Sequence, residues 1–152
     1  MDPALPVDEV QRIKDGEHLK LLSIFSFVMA GFAFLGVAFL FLHYFLMSFF
    51  MSPEFWKSQK NATPPPKEFF QFMIYFYIIF GAWMMAGGVL NVLSGFFLRQ
   101  RTHRTFSLIV GGLNCLHIPF GTVLGIFTIL ILSRESVCKG YEAAASSRPT
   151  HL

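Results

Sequence analysis

Three long apolar runs, separated by short charged segments, dominate the pattern of the chain. Residues 21–51, 69–98 and 105–132 contain 31, 30 and 28 consecutive residues without an Asp, Glu, Lys or Arg. A hydrocarbon core needs about 20 helical residues to cross it, so each run is long enough for one crossing and too short for two. Because only helices satisfy their own backbone hydrogen bonds in lipid at these lengths, the pattern predicts an all-α membrane protein.

The third run is interrupted in its middle by a proline and a glycine. Pro119 removes one helix hydrogen bond and disfavours helical geometry at the residue before it, while Gly121 permits a bend. Two pieces result, 105–116 and 122–132, which are about 18 and 16 Å long at 1.5 Å per residue. Each piece is too short to cross alone, so we expect a helical hairpin whose bend contains His117, Pro119 and Gly121.

Two topologies are open, and the distribution of basic residues favours one of them. If the third run re-enters as a hairpin, nine of the twelve Lys and Arg residues lie on the side of the N-terminus; if it is one kinked span, six lie on each side. Basic residues concentrate on the cytoplasmic side. We therefore predict two long transmembrane helices and a C-terminal hairpin in a multi-pass plasma-membrane protein with a cytoplasmic N-terminus. Three or four full spans are the alternative.

The predicted organisation is a single transmembrane domain, residues 21–132, between cytoplasmic tails at 1–20 and 133–152. Composition agrees, because apolar residues make up 54% of the chain and charged residues only 14%, against about 25% charge in a soluble domain. Two cysteines are too few for a disulfide scaffold. The net charge of +3 reflects orientation in the bilayer, and no nucleic-acid recognition motif accompanies it. The expected partner is the lipid bilayer, and no nucleic-acid partner is expected.

Small residues recur at helical spacing along the apolar runs. Small residues let helix backbones approach where lipid supplies no hydrophobic drive, and asparagine amides form hydrogen bonds between helices. We predict that the helix faces that carry these small residues point inward. Most of the 20 Phe residues are expected to face lipid or fill gaps. The GxxxG spacing of Gly121 and Gly125 is also typical of homodimers, although internal packing is favoured. The predicted packing positions are Gly87, Asn91, Gly95, Gly111, Asn114, Gly121 and Gly125.

Polar side chains within the apolar runs are the candidates for chemistry, since they are costly at membrane depth. None of them is acidic or a lysine or arginine, which disfavours proton-coupled transport. No nucleophile–base set, nucleotide loop or pair of carboxylates is present, so the sequence predicts neither an enzyme, a cofactor nor a metal site. Two imidazoles can ligate a haem iron, but structural roles are favoured for His43 and His117. The polar candidates are His43, Gln71, Asn91, Asn114 and His117.

Three segments of the chain, residues 17–36, 96–116 and 118–137, together resemble a group of small, uncharacterised bacterial inner-membrane proteins. The most distinctive string is PFGTVLGIFT, residues 119–128. The resemblance covers the apolar two-thirds of the chain. It implies a bacterial source, an inner-membrane location and a short C-terminal hairpin, and it implies no activity and no catalytic residue.

The leading functional hypothesis is a non-enzymatic bundle that acts by packing in the membrane, as an accessory subunit or a homo-oligomer. Its basis is the set of small-residue faces together with the lack of a reactive constellation. An alternative is a small oligomeric transporter or channel whose path is lined by Asn91, Asn114 and His117. A third hypothesis is haem binding by His43 and His117.

Overall fold

The computed structural model describes residues 6–57, 66–117 and 120–146, and every regular element in these ranges is a helix. The all-α prediction is therefore confirmed for this part of the chain. In chain order the helices are α1 (Val7–Phe50), α2 (Pro53–Lys57), α3 (Lys67–Gln100), α4 (Arg104–Asn114), α5 (Phe120–Leu132) and α6 (Glu135–Ser146).

Two of these helices, α1 and α3, are long and apolar enough to cross a membrane. They contain 44 and 34 residues, and both are continuous through the apolar runs that predict them, with Met51 in the turn that follows α1. A third candidate span consists of α5 and α6 together, which are bent by 71° at the break between them.

The N-terminal helix begins well before its apolar run. The carbonyl of Pro6 accepts hydrogen bonds from the backbone N–H groups of Glu9 and Val10 at 2.9 and 3.2 Å, which starts α1 at Val7. The acidic residue Glu9 in the first turn suits the positive end of the helix dipole. Most of the segment predicted as a tail, residues 1–20, is therefore helical.

The segment predicted as a C-terminal tail, residues 133–152, contains a helix. Helix α6 occupies residues 135–146 of it and buries Val137 and Tyr141. These two side chains are one turn apart and lie on one face of the helix. This face joins α6 to the core of the first unit.

The chain divides into two compact units, the first comprising residues 1–30 and 89–152 and the second residues 31–88. The first unit contains an apolar core to which α1, α3, α5 and α6 all contribute. Its buried members are Leu19, Leu22, Leu98, Leu124, Ile131, Leu132, Val137 and Tyr141.

The second unit is a pair of helices, formed by the later part of α1 and the earlier part of α3. Its helices approach closely at Gly88, where an added Cβ would lie 3.3 Å from the side chains of Ala33 and Phe34. The same helices meet at Gly36, which faces the end of the Met84 side chain. Glycine and a flexible methionine thus set the spacing between these two segments.

Helices α4 and α5 form the predicted hairpin. Arg104, the first residue of α4, donates a hydrogen bond from Nε to the carbonyl of Leu132, the last residue of α5, at 2.8 Å. The two helices are therefore antiparallel, and the free ends of the hairpin meet. The basic residues Arg104 and Arg134 consequently lie at the same end of this unit.

The bend of the hairpin satisfies backbone groups that the break in the helix releases. The Thr122 hydroxyl donates to the Cys115 carbonyl at 2.9 Å, and the Thr122 N–H donates to the His117 carbonyl at 3.2 Å. Of the residues predicted to form the bend, His117 and Gly121 take part in it, and Pro119 lies outside the described residues. Satisfying these carbonyls matters because an unpaired one costs several kcal/mol in hydrocarbon.

The backbones of α4 and α5 are in contact at their glycines. A Cβ added to Gly125 would overlap the Gly111 carbonyl oxygen and would lie 2.9 Å from the Cys115 nitrogen. A Cβ at Gly121 would lie 2.5 Å from the Asn114 carbonyl oxygen. The GxxxG motif is therefore used inside the hairpin.

The predicted packing positions on α3 lie in different surroundings. Asn91 is buried, and a Cβ on Gly95 would lie 3.0 Å from the Phe27 ring. A Cβ on Gly87 would meet no described atom within 4 Å, whereas one on the neighbouring Gly88 would lie 3.3 Å from Ala33 and Phe34. The role of Gly87 in packing stays a prediction. The buried positions of this segment are 88, 91, 94, 95 and 98, which recur at three or four residues as in a coiled-coil seam.

We expect Gly125→Ala to destabilise the protein, because the new methyl group meets backbone atoms that cannot rotate away. Overpacking of this kind costs about 1–3 kcal/mol. The matched control is Gly112→Ala, where a Cβ meets no described atom within 4 Å and where the gain in helix propensity is about 0.5–1 kcal/mol. Thermal unfolding in detergent measures both variants, and equal stability of the two would contradict the hairpin interface.

Candidate functional site

Two buried asparagines in the first unit form a reciprocal pair. The side-chain Nδ2 of Asn91 in α3 donates to the side-chain Oδ1 of Asn114 at 2.9 Å, and Nδ2 of Asn114 in α4 donates back to Oδ1 of Asn91 at 2.8 Å. Their residues are 6% and 4% exposed. Each side chain thus satisfies the other in an apolar environment.

This pair binds the hairpin to the long helix α3. Two polar groups in hydrocarbon stabilise helix association by about 0.6–2 kcal/mol, and the bond is worth most where water is excluded. Since each amide both donates to and accepts from the other, the arrangement favours a structural role. The lining of a permeation path by these residues stays a prediction.

A second polar pair lies in the second unit, between α1 and α3. His43 Nδ1 and the Tyr77 hydroxyl form a hydrogen bond, and the Tyr77 ring packs edge-on against Tyr44 with centroids 5.5 Å apart. The tautomer of His43 decides which group donates. The hydrogen bond and ring packing position both side chains beside an open apolar surface.

The other candidate histidine, His117, has an exposed side chain at the bend of the hairpin. It belongs to the first unit, and His43 belongs to the second. Within the described ranges no group of three or more His, Cys, Asp or Glu side chains is placed to hold a metal ion. Haem binding by His43 and His117 stays a prediction.

A lateral groove of about 480 Å³ runs between α1 and α3 in the second unit. One wall comes from α1 and carries large side chains, and the other comes from α3 and includes two small residues. Only the two tyrosines contribute hydroxyl groups, so the groove suits an apolar occupant. The lining is formed by Val37, Leu40, Phe41, Tyr44, Ile74, Tyr77, Ile78, Gly81, Ala82 and Met85.

Charged side chains collect at one end of the first unit. Asp15 of α1 is 5% exposed and forms an ion pair with Arg134 at 3.4 Å. The guanidinium of Arg101 extends between two glycines: Nη2 lies 3.1 Å from the Cβ position of Gly16, and Nη1 lies 3.9 Å from that of Gly140. This end therefore joins α1, the end of α3 and α6 around arginine side chains.

Tyr141 of α6 is buried at this same end. Burial raises the pKa of the Tyr141 phenol to about 12, although the nearby charges of Arg101 and Arg104 act in the opposite direction. The hydroxyl has no hydrogen-bond partner among the described residues. The Tyr141 hydroxyl therefore keeps its proton and can donate a hydrogen bond to an acceptor.

The sequence marks Asn91, Asn114 and two histidines as polar candidates, but it does not pair the two asparagines with each other. Tyr77 is 34 residues from its partner His43, and no local pattern links them. The sequence also gives no signal for the ion pair of Asp15 with Arg134. Comparison with protein-family models, curated proteins and solved structures finds no match. The function is therefore argued from the side-chain arrangement.

We expect Asn114→Leu to lower the stability of the protein by about 1–3 kcal/mol, because it leaves the buried Asn91 amide without its Asn114 partner. The double variant Asn91→Leu/Asn114→Leu removes both polar groups and should recover most of that loss. Thermal unfolding of the two variants in detergent makes the comparison. A double variant that is less stable than the single variant would contradict the paired arrangement.

We also expect stability to fall as pH rises from about 10 to 12. In this range an unfolded chain releases the Tyr141 proton while the folded chain keeps it, so deprotonation favours unfolding by about 2 kcal/mol at the upper end. The contribution is fully present below pH 10. Thermal unfolding of Tyr141→Phe should show a weaker decline over the same range, since phenylalanine does not titrate. Parallel declines in both proteins would contradict this assignment.

Proposed function

We propose that the protein is a non-enzymatic, multi-pass subunit of a bacterial inner membrane, which acts by packing its groove-bearing face against a second copy of itself. Two helices long and apolar enough to cross a membrane support the location. The hairpin supports the orientation, because it returns Arg134 to the end that holds Arg101 and Arg104. Basic residues are then concentrated on the cytoplasmic side.

The observation that carries the proposal is the open groove of the second unit. Large apolar side chains around it are exposed, with Phe41 at 71% and Ile78 at 62%. The first unit uses its glycines and asparagines for its own packing, whereas this groove is lined by apolar side chains and left open. In a bilayer such a surface is covered either by acyl chains or by another helix.

The unequal walls of the groove favour a second copy as its occupant. A two-fold interface needs protruding and recessed features on the same patch, so that each copy fills the other. The α1 wall supplies large side chains, Phe41 and Tyr44, and the α3 wall supplies the small residues Gly81 and Ala82. Small residues let helices approach closely where van der Waals packing drives association in lipid.

We expect the purified protein to form dimers in lipid bilayers, and Ala82→Phe to weaken dimerisation at least about tenfold, since a phenylalanine fills the recess. The matched control is Ala86→Phe, because Ala86 is exposed on the same helix but does not line the groove. Subunit counting by single-molecule photobleaching across a range of protein densities measures the equilibrium. The control should dimerise as the natural protein does.

Four outcomes would overturn this proposal. Release of the protein from membranes by alkaline carbonate would exclude the membrane location. A protein that stays monomeric at every density tested, or two phenylalanine variants that behave alike, would exclude the groove as a dimer interface. Recovery of a different membrane protein in stoichiometric amount, lost in Ala82→Phe but kept in Ala86→Phe, would assign the groove to that partner and overturn self-association.

A further inference from the structure

Arg101 adopts a backbone conformation in which arginine is uncommon. Its φ is 50°, in the left-handed region that residues other than glycine rarely adopt. Helix α3 ends there in a Schellman-type arrangement, in which the Thr102 N–H donates to the Phe97 carbonyl at 2.9 Å and the Arg101 N–H to the Leu98 carbonyl at 3.4 Å. Glycine is the usual residue at this position.

The left-handed backbone directs the Arg101 side chain between α1 and α6. The guanidinium passes Gly16 on one side and Gly140 on the other, and a larger residue at Gly16 would press on it. Arg101 and Arg12 line a narrow crevice together with Ser136, and both arginines are exposed. The guanidinium groups are therefore held at a crevice and still open to solvent.

The residues that line the crevice include two arginines and one carboxylate. The carboxylate is that of Asp15, whose Oδ1 pairs with Arg134 at 3.4 Å and whose buried Oδ2 has no hydrogen-bond partner among the described residues. Neither Arg12 nor Arg101 forms an ion pair within the described residues. Arg104 adds a further positive charge near the Tyr141 hydroxyl. Two guanidinium groups at one crevice are suited to a multiply charged oxygen anion.

Buried donors near this end also have no acceptor. The hydroxyls of Tyr141 and Thr102 are shielded from solvent and form no hydrogen bond with a described residue. Buried polar groups are nearly always hydrogen-bonded in folded proteins. The crevice itself holds about 20 Å³, enough for one oxygen atom of a ligand whose remaining atoms stay at the mouth.

We propose that this crevice binds a phosphate group, with Arg101 as its principal ligand and Arg12 as the second, and that the headgroup of an anionic phospholipid presents it. The choice of a lipid headgroup rests on the proposed membrane orientation, which places this end of the first unit at the cytoplasmic surface. Anionic lipids are enriched there and attract clustered basic residues. A free phosphate offers the same chemistry.

Binding to the full-length protein in neutral maltoside micelles tests the site. The probes are short-chain phosphatidylglycerol, phosphatidylcholine as the zwitterionic reference, and inorganic phosphate as a competitor, with native mass spectrometry as the readout. We expect phosphatidylglycerol to bind at least about tenfold more tightly than phosphatidylcholine, as charge-assisted hydrogen bonds predict. Displacement by millimolar phosphate would show that the free anion is also a ligand, and resistance to it would assign the site to the lipid headgroup.

Three variants separate a built site from general charge attraction. Arg101→Gln should lose the preference for phosphatidylglycerol, and the matched control Arg99→Gln, which removes the same charge from the last turn of α3, should keep it. Arg101→Gly should also lose it while retaining the fold, because glycine suits the left-handed position. Equal losses in Arg101→Gln and Arg99→Gln, or no preference in the natural protein, would overturn the proposal. The dimerisation experiment is independent of these outcomes.

Discussion

Direct backbone contact between α4 and α5 is the constraint on which the rest of the first unit depends. Because glycines at 111 and 125 let the two helices touch, a segment too short to cross a bilayer can fold back on itself. The fold then places Asn114 opposite Asn91 and brings the end of α5 back to the start of α4. From that point α6 turns by 71° and buries Tyr141 beside α1 and α3. One methyl group at Gly125 would disturb each of these steps.

Several polar side chains in the apolar part of the molecule are satisfied by backbone carbonyl groups. Ser23 donates to the Gly95 carbonyl at 2.8 Å, and Thr128 donates to the Leu124 carbonyl at 2.8 Å within its own helix. Such bonds stabilise helix packing in lipid without creating a reactive site. The features left over for recognition are the apolar groove of the second unit and the arginine-lined end of the first.

The apolar runs and their interruption predict most of the helices, because span length and proline geometry are local properties of the chain. Which residues of a helix face its neighbour depends less on the local sequence. The sequence predicts Gly87, Asn91 and Gly95 as one face in steps of four residues, whereas the buried positions of α3 also include Gly88, Ser94 and Leu98, because paired helices select a seam near 3.5 residues per turn. The core around Leu19 and Tyr141 depends on contacts across more than a hundred residues. The pairs His43–Tyr77 and Asp15–Arg134 depend on the same kind of distant approach, which a single sequence does not encode in any short window.

If the protein spans a membrane as proposed, the continuity of α1 and α3 has a consequence for the kind of bilayer that suits it. An uncharged helical stretch of 30 residues, such as residues 69–98, is about 45 Å long, whereas a typical hydrocarbon core is about 30 Å thick. Such positive hydrophobic mismatch is relieved by steep tilting, by local thickening of the lipid or by lateral clustering, each at a cost of fractions of a kcal/mol per Å. Lipid thickness thereby becomes a variable that acts on this chain, and thicker bilayers hold its long helices with the least deformation.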